Sequence, residues 1–143
     1  MNWDSDFETI KREFDADPAN RLFGFTLLER GEGMGKIRLT RTPQTPTGIG
    51  GSLQGGILAA MVDIAMLIPV FSSGWLPGQQ PAGTADLNIT YLRPVHGDYA
   101  DAEAVLIKRG RQLAVVEVSI TDDQDRLCAK GRVLYAFRQQ PSS

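Results

Sequence analysis

The chain is predicted to fold as an α+β domain in which an antiparallel sheet of about six strands wraps around one long central helix. Three observations lead there. A glycine-opened apolar segment, Gln54-Gly55-Gly56-Ile57-Leu58-Ala59-Ala60-Met61-Val62-Asp63, begins a helix that needs a sheet face to bury against. Strand-like runs lie on both sides of it. The clearest, Gln112 to Thr121, sets Ala114, Val116, Val118 and Ile120 on one face against Val115, Glu117, Ser119 and Thr121 on the other. Finally, 143 residues at 42% hydrophobic content supply one well-buried core and not two, so residues 1–143 are read as a single domain.

Taken in order, Trp3, Phe7, Ile10 and Phe14 follow a 4-3-4 spacing that makes an amphipathic helix within residues 1–17, stopped by Asp17-Pro18. Two strands follow, Leu22 to Arg30 and Lys36 to Thr42, joined by a hairpin turn in Gly31-Glu32-Gly33-Met34-Gly35. That glycine run is a poor phosphate loop, because no strand-turn-helix context surrounds it and no Lys-Ser/Thr follows. Pro43 to Ser52 is a loop into the central helix, which should end around Phe71 to Gly74 with Pro69 bending or ending its last turn. The remaining strands are Thr84 to Arg93, Tyr99 to Arg109, Gln112 to Thr121 and Arg126 to Arg138. Gly110 and Asp122-Asp123-Gln124-Asp125 supply the turns, and no repeat, low-complexity tract or linker interrupts the pattern.

Charge and composition narrow the function. A formal charge of -2 and a pI near 5.3 lack the concentrated basic face that non-specific nucleic-acid binding needs. No basic segment leads into an apolar stretch at the start, and no apolar run reaches the roughly 20 residues of a bilayer span, so a soluble cytoplasmic protein without a membrane role is expected. Cys128 is the only cysteine, which leaves no intramolecular disulfide and assigns it to a strand interior. His96 is the only histidine and sits in a proline-glycine loop, Arg93-Pro94-Val95-His96-Gly97-Asp98, expected to lie far from the helix. One histidine and one cysteine make no plausible zinc cluster, the loop position of His96 argues against a Ser-His-Asp site or a hydratase-type His-Asp pair, and no metal or redox cofactor is expected.

The turn formers Gly48-Ile49-Gly50-Gly51-Ser52-Leu53 place the helix start near Gln54, with its first amides pointing into open space. Those N–H groups, backed by the helix dipole, suit a carbonyl oxygen that gains negative charge. At about 100° per residue, Ile57, Met61, Ile64 and Ile68 form one stripe, read as the core face, and Asp63 lies about 120° from it. Around Asp63 are Gly56, Ala59, Ala60, Leu67 and Val70, mostly small enough to admit another helix or a ligand. An ionised carboxylate there is costly unless something binds it. Either it caps a loop or pairs with an arginine, or it is a general base or nucleophile. Gly55 and Asp63 are separated by about 12 Å of helix rise, too far for both to meet one carbonyl, unless a second protomer supplies the other half.

With this spacing the chain resembles the hot dog fold thioesterases, in particular the PaaI-like acyl-CoA thioesterase branch with its His-Gly-Gly signature followed in the same helix by Asp. The similarity continues in Ala85-Asp86-Leu87-Asn88-Ile89-Thr90-Tyr91-Leu92-Arg93-Pro94 and in the closing strands around Val105 to Ala114 and Cys128 to Arg132, covering roughly Gly48 to Phe137. Two positions depart from the family pattern: Gln54 stands where it usually has His, and Gly48 where asparagine often sits. Glutamine donates a hydrogen bond but cannot shuttle a proton.

The resemblance implies a hot dog fold whose active-site loop and central helix span residues 48–74. It also implies an acyl-CoA or aryl-CoA thioesterase in which Asp63 activates water or attacks the carbonyl. Gly55 and Gly56 of the facing protomer would supply oxyanion donors, Gln54 would orient the thioester oxygen, and Thr84 would position the water. Lys108, Arg109 and Arg111, around one tight turn, either hold the phosphates of the coenzyme A part of the substrate or form an ordinary solvated hairpin; the resemblance favours the first. Trp75 and Pro77 line an acyl pocket or cover the core. The implied partners are the acyl-CoA substrate and copies of the chain, as a homodimer or a homotetramer built from dimers. The competing readings are a non-catalytic acyl-CoA or aromatic-ligand binding protein and a structural oligomerisation module.

Overall fold

Asp6 and Asp17 divide the N-terminal segment into two helices. The Asp6 carboxylate accepts from the Thr9 amide at 2.8 Å and caps α1 (Phe7–Ala16), which buries Ile10 and Phe14. Asp17 then caps α2 (Pro18–Phe23) through the Ala19 and Asn20 amides, with Pro18 in its first turn. Gly24 ends α2 at φ 81°, so Leu22 and Phe23 are helical and not the start of a strand. The Asp-Pro pair that stops one helix is also the start signal of the next, which is why the predicted strand opens three residues late.

The computed structural model describes residues 1–141. After α2 come β1 (Phe25–Gly31) and β2 (Met34–Thr40), a long connection with a 3-10 turn at Ile49–Gly51, then α3 (Gly55–Ser72). β3 (Gln79–Tyr91), β4 (Tyr99–Arg109), β5 (Leu113–Asp122) and β6 (Leu127–Gln139) follow. They form one six-stranded sheet in the order β1-β2-β4-β5-β6-β3, with every neighbouring pair antiparallel. This is the α+β arrangement expected, and Ala114, Val116, Val118 and Ile120 of β5 are all fully buried. β3 starts five residues earlier than the sequence pattern suggests, because Pro81 and Gly83 lie at a register shift that periodicity does not register.

α3 is apolar on more than the expected stripe. Ile57, Met61 and Ile68 are buried, but so are Leu58, Val62, Ala65, Met66, Pro69 and Val70, whereas Ile64 is only half-buried. The sheet curls far enough around the helix to bury these flanking positions as well, Val70 among them. Pro69 neither ends nor breaks α3, which runs on to Ser72, where the Ser73 hydroxyl closes it on the Val70 carbonyl at 2.7 Å. At 18 residues and a mean hydropathy of 1.9, α3 comes closer to a membrane-spanning length than the sequence suggested, and half of it is buried against the sheet as the core helix. The less buried face runs along Gly56, Ala59, Ala60, Asp63, Ile64 and Leu67, of which Ala60, Ile64 and Leu67 still pack in part against the core.

Candidate active site

The start of α3 is set by a loop whose backbone favours glycine. Gly50 and Gly51 both hold positive φ, 67° and 78°, and the turn closes through Gly48 N–H to the Ser52 carbonyl at 2.7 Å. The loop is pinned from both sides, by the Gln54 amide on the Pro46 carbonyl (3.1 Å) and the Leu53 amide on the Val95 carbonyl (2.9 Å). Gln54 is the N-cap: its Oε1 accepts from the Ile57 amide at 3.1 Å. Its carboxamide oxygen is thereby occupied and its NH2 group has no acceptor among the described residues. The Gly55 and Gly56 amides likewise have none. Three donors are thus grouped at one helix end, with the dipole behind them.

Close neighbours favour glycine at both positions. A Cβ on Gly56 would lie 2.7 Å from the Gln54 Oε1, and one on Gly55 would lie 3.2 Å from the Tyr91 ring and hydroxyl. Tyr91, at the end of β3, donates its hydroxyl to the Gly55 carbonyl at 2.6 Å. A cleft of about 460 Å³ opens beside this contact, lined by Gln54, Gly55, Leu58, Tyr91 and Arg93 among others.

Asp63 lies two turns along α3 on the open face, half-buried. The Thr84 hydroxyl donates to its Oδ1 at 2.7 Å, so the structure brings these two residues together. A register shift in β3 immediately after Thr84 sets the local direction of that strand beside the helix. Tyr135 on β6 is the cross-strand neighbour of Thr84. Burial, with the Asp63 charge adding to it, pushes the Tyr135 phenol above its ordinary value, so it remains a neutral group. Phe71, Trp75, Tyr135 and Phe137 pack edge to face with centroids 5.2–5.7 Å apart, which makes Trp75 part of an aromatic cluster next to Asp63. On its own chain Asp63 is carried away from the free amides by the length of helix between them, about 12 Å of rise.

The cationic turn divides into unlike residues. Arg109 donates to the Ser73 hydroxyl, the Gly74 and Gly110 carbonyls and the Gln79 side chain, and its guanidinium stacks 3.9 Å from the Phe137 ring centroid. Burial lowers its pKa from the usual arginine value. It ties the end of α3 to β3 and β6 and has little left to offer a phosphate. Lys108 and Arg111 are exposed, and Arg111 borders a groove of about 560 Å³ together with Arg138, a cation the sequence reading did not single out.

The His96 loop is not far from α3. Val95 is bonded to Leu53, Arg41 donates to both the His96 and Gly51 carbonyls, and the His96 ring lies near Gly50, while its side chain remains exposed. Tyr91 and Tyr135 are the residues of this site that sequence reasoning missed. Tyr91 stands inside a segment that attracted attention for its order alone, and no spacing within α3 signals that it meets Gly55.

Comparison with known proteins identifies the family and the fold. The family model described as the thioesterase superfamily matches residues 50–129, from the α3 loop into β6. A candidate esterase of Saccharolobus solfataricus is 33% identical over 97 residues, 68% of this chain and 63% of that protein. A candidate esterase of Halobacterium salinarum is 36% identical over 75 residues, 52% of this chain and 49% of that one. The chain therefore matches about half to three-fifths of the length of these relatives. Among solved structures, a thioesterase from Haemophilus influenzae superposes with a TM-score of 0.82 at 22% identity, covering 99% of this chain and 98% of that one. At that identity the likeness speaks to the fold, which is the hot dog fold.

Proposed function

The chain belongs to the thioesterase superfamily, and from that premise we propose that it hydrolyses acyl-CoA or aryl-CoA thioesters, in the manner of the PaaI-like branch, as a homodimer or a tetramer of such dimers. The observation that carries the reading is the 2.7 Å bond from Thr84 to Asp63 on the one face of α3 that the sheet leaves open. A carboxylate oriented by a hydroxyl, and open to a ligand, is the arrangement of a general base.

In this reading two copies pair so that the α3 start of one meets Asp63 of the other. β3 supports such pairing, because it is the last strand of the sheet and 13 residues long, with its outer backbone edge unpaired among the described residues. Asp63 takes a proton from water that Thr84 helps to hold, and the water oxygen bonds to the thioester carbon. The oxyanion is held by the Gly55 and Gly56 amides and the Gln54 NH2 group of the facing copy. Collapse breaks the carbon–sulfur bond, and the coenzyme A thiolate leaves. Lys108 and Arg111, with Arg138 beside Arg111, would meet the phosphates, a role Arg109 yields to its internal bonds.

A second reading, binding without turnover, is favoured by one residue: Gln54 cannot move a proton as histidine can. A panel of acyl-CoA and aryl-CoA thioesters, followed through release of the thiol, separates the two. Hydrolysis by the wild type that falls at least about a hundredfold in Asp63→Asn, with an unchanged melting temperature, supports the proposal. Ligand-induced stabilisation with no thiol release would leave only the binding protein.

A further inference from the structure

The Gly55 carbonyl and the Gly56 N–H belong to the same peptide group. Tyr91 donates its hydroxyl to that carbonyl at 2.6 Å, and its ring lies against the Gly55 Cα so closely that a Cβ there would be 3.2 Å from it. The Gly56 N–H on the other side of the peptide has no acceptor among the described residues and points out of the helix end. A hydrogen bond to an amide oxygen draws electron density from the nitrogen and makes the N–H a stronger donor, the polarisation that strengthens chains of hydrogen bonds.

We infer that Tyr91 is a positioning residue of this site, which both locks the first turn of α3 and strengthens the Gly56 N–H as a donor to the oxygen of a bound thioester. The inference rests on the proposed thioesterase reading and deepens it. Three features set Tyr91 apart from a residue that merely lines the cleft. Its hydroxyl faces a backbone carbonyl and not the open volume. That carbonyl lies in the first turn of the helix that carries the free donors, where the dipole acts. Its ring also lies within 3.2 Å of where a Gly55 Cβ would be, so the glycine permits the close contact that accompanies the bond.

The size of the effect follows from two magnitudes. A single oxyanion donor is worth about 10²–10³ in kcat, and one cooperative bond strengthens a neighbour by about 10–30%. Tyr91→Phe, which keeps the ring, should therefore lower kcat by about two- to eightfold. KM should stay near its wild-type value, and the melting temperature should fall slightly, by the net worth of one hydrogen bond.

The test measures Tyr91→Phe on both a coenzyme A thioester and a short thioester with the same acyl group, and the carbonyl stretch of a slowly hydrolysed aryl thioester bound to each protein. Replacing Tyr91 with fluorinated tyrosines, whose neutral phenols are stronger donors, gives a graded series below the pH at which they ionise. The inference predicts equal loss of kcat on both substrates, a carbonyl stretch that returns toward its value in water, and kcat rising along the fluorinated series. A change in KM alone, or an unchanged carbonyl stretch, would reduce Tyr91 to a wall of the cleft. A wild type that binds the thioesters and hydrolyses none would overturn the thioesterase reading itself, and this inference with it.

Discussion

Gln54 divides its carboxamide between two tasks. The oxygen caps the helix at Ile57, and the NH2 group, without an acceptor among the described residues, is the one the proposed function assigns to a substrate oxygen. The two are separable by substitution. Gln54→Glu keeps an acceptor for the Ile57 amide and loses the donor, so kcat should fall by about ten- to a thousandfold with little change in melting temperature. Gln54→Ala should lose the same activity and, in addition, about 1 kcal/mol of helix capping. Steady-state kinetics beside thermal melts of the two variants checks both; equal activity in wild type and Gln54→Ala would remove Gln54 from the site. Among single residues, the ones that share α3 were readable, since Gln54, Gly55, Gly56 and Asp63 are placed by helical geometry alone. Thr84 came from the resemblance. Tyr91 was not readable, because its contact with Gly55 joins positions 36 apart and depends on where the end of β3 lies over the helix.

At the scale of elements, α3 and the sheet meet through glycine. Gly35 on β2 sits where any Cβ would overlap Ile68, and a Cβ on Gly131 of β6 would lie 2.8 Å from Val62 Cγ1. Gly35→Ala should therefore cost about 1–3 kcal/mol by overpacking, read by chemical denaturation with an unchanged m-value. The β5–β6 turn depends instead on Asp122. Burial alone would raise its carboxyl, but the backbone amides of Arg126 and Gln124 and the Arg126 guanidinium at 2.8 Å outweigh it and hold the pKa below the ordinary value. A carboxyl lowered in the folded state stabilises above its unfolded pKa, near about 3.9, and that stability is lost as pH falls through the lower folded value. Asp122→Asn should thus be less stable than wild type by about 1–3 kcal/mol at neutral pH. The gap should close under acid, below about pH 4, in parallel melts of the two proteins. Strand alternation and the turn at Asp122 to Asp125 were legible from side-chain period. The second N-terminal helix and the early start of β3 were not: the first shares its Asp-Pro signal with a helix stop, and the second runs through a proline and a bulge.

For the whole molecule, the open face of α3 and the outer edge of β3 lie on the part of the fold that the sheet leaves uncovered. Under the proposed function, the distance along α3 between the free amides and Asp63, about 12 Å, would leave a site within one copy incomplete, and pairing of two copies would complete it. Light scattering at micromolar concentration should accordingly give a dimer or a larger even assembly, and a monomer would defeat the shared site. The direct measurement uses two variants that each damage a different half. Asp63→Asn removes the proposed base, and Gly56→Val drives the Gln54 amide from the helix end, where even a Cβ would lie 2.7 Å from its oxygen. Alone, Asp63→Asn should lose at least about a hundredfold in kcat and Gly56→Val about ten- to a thousandfold. Coexpressed under two tags and purified through both, the mixed dimer holds one site with neither substitution and one with both, so it should recover about half the wild-type rate. A mixed dimer as inert as its parents would contradict the shared site.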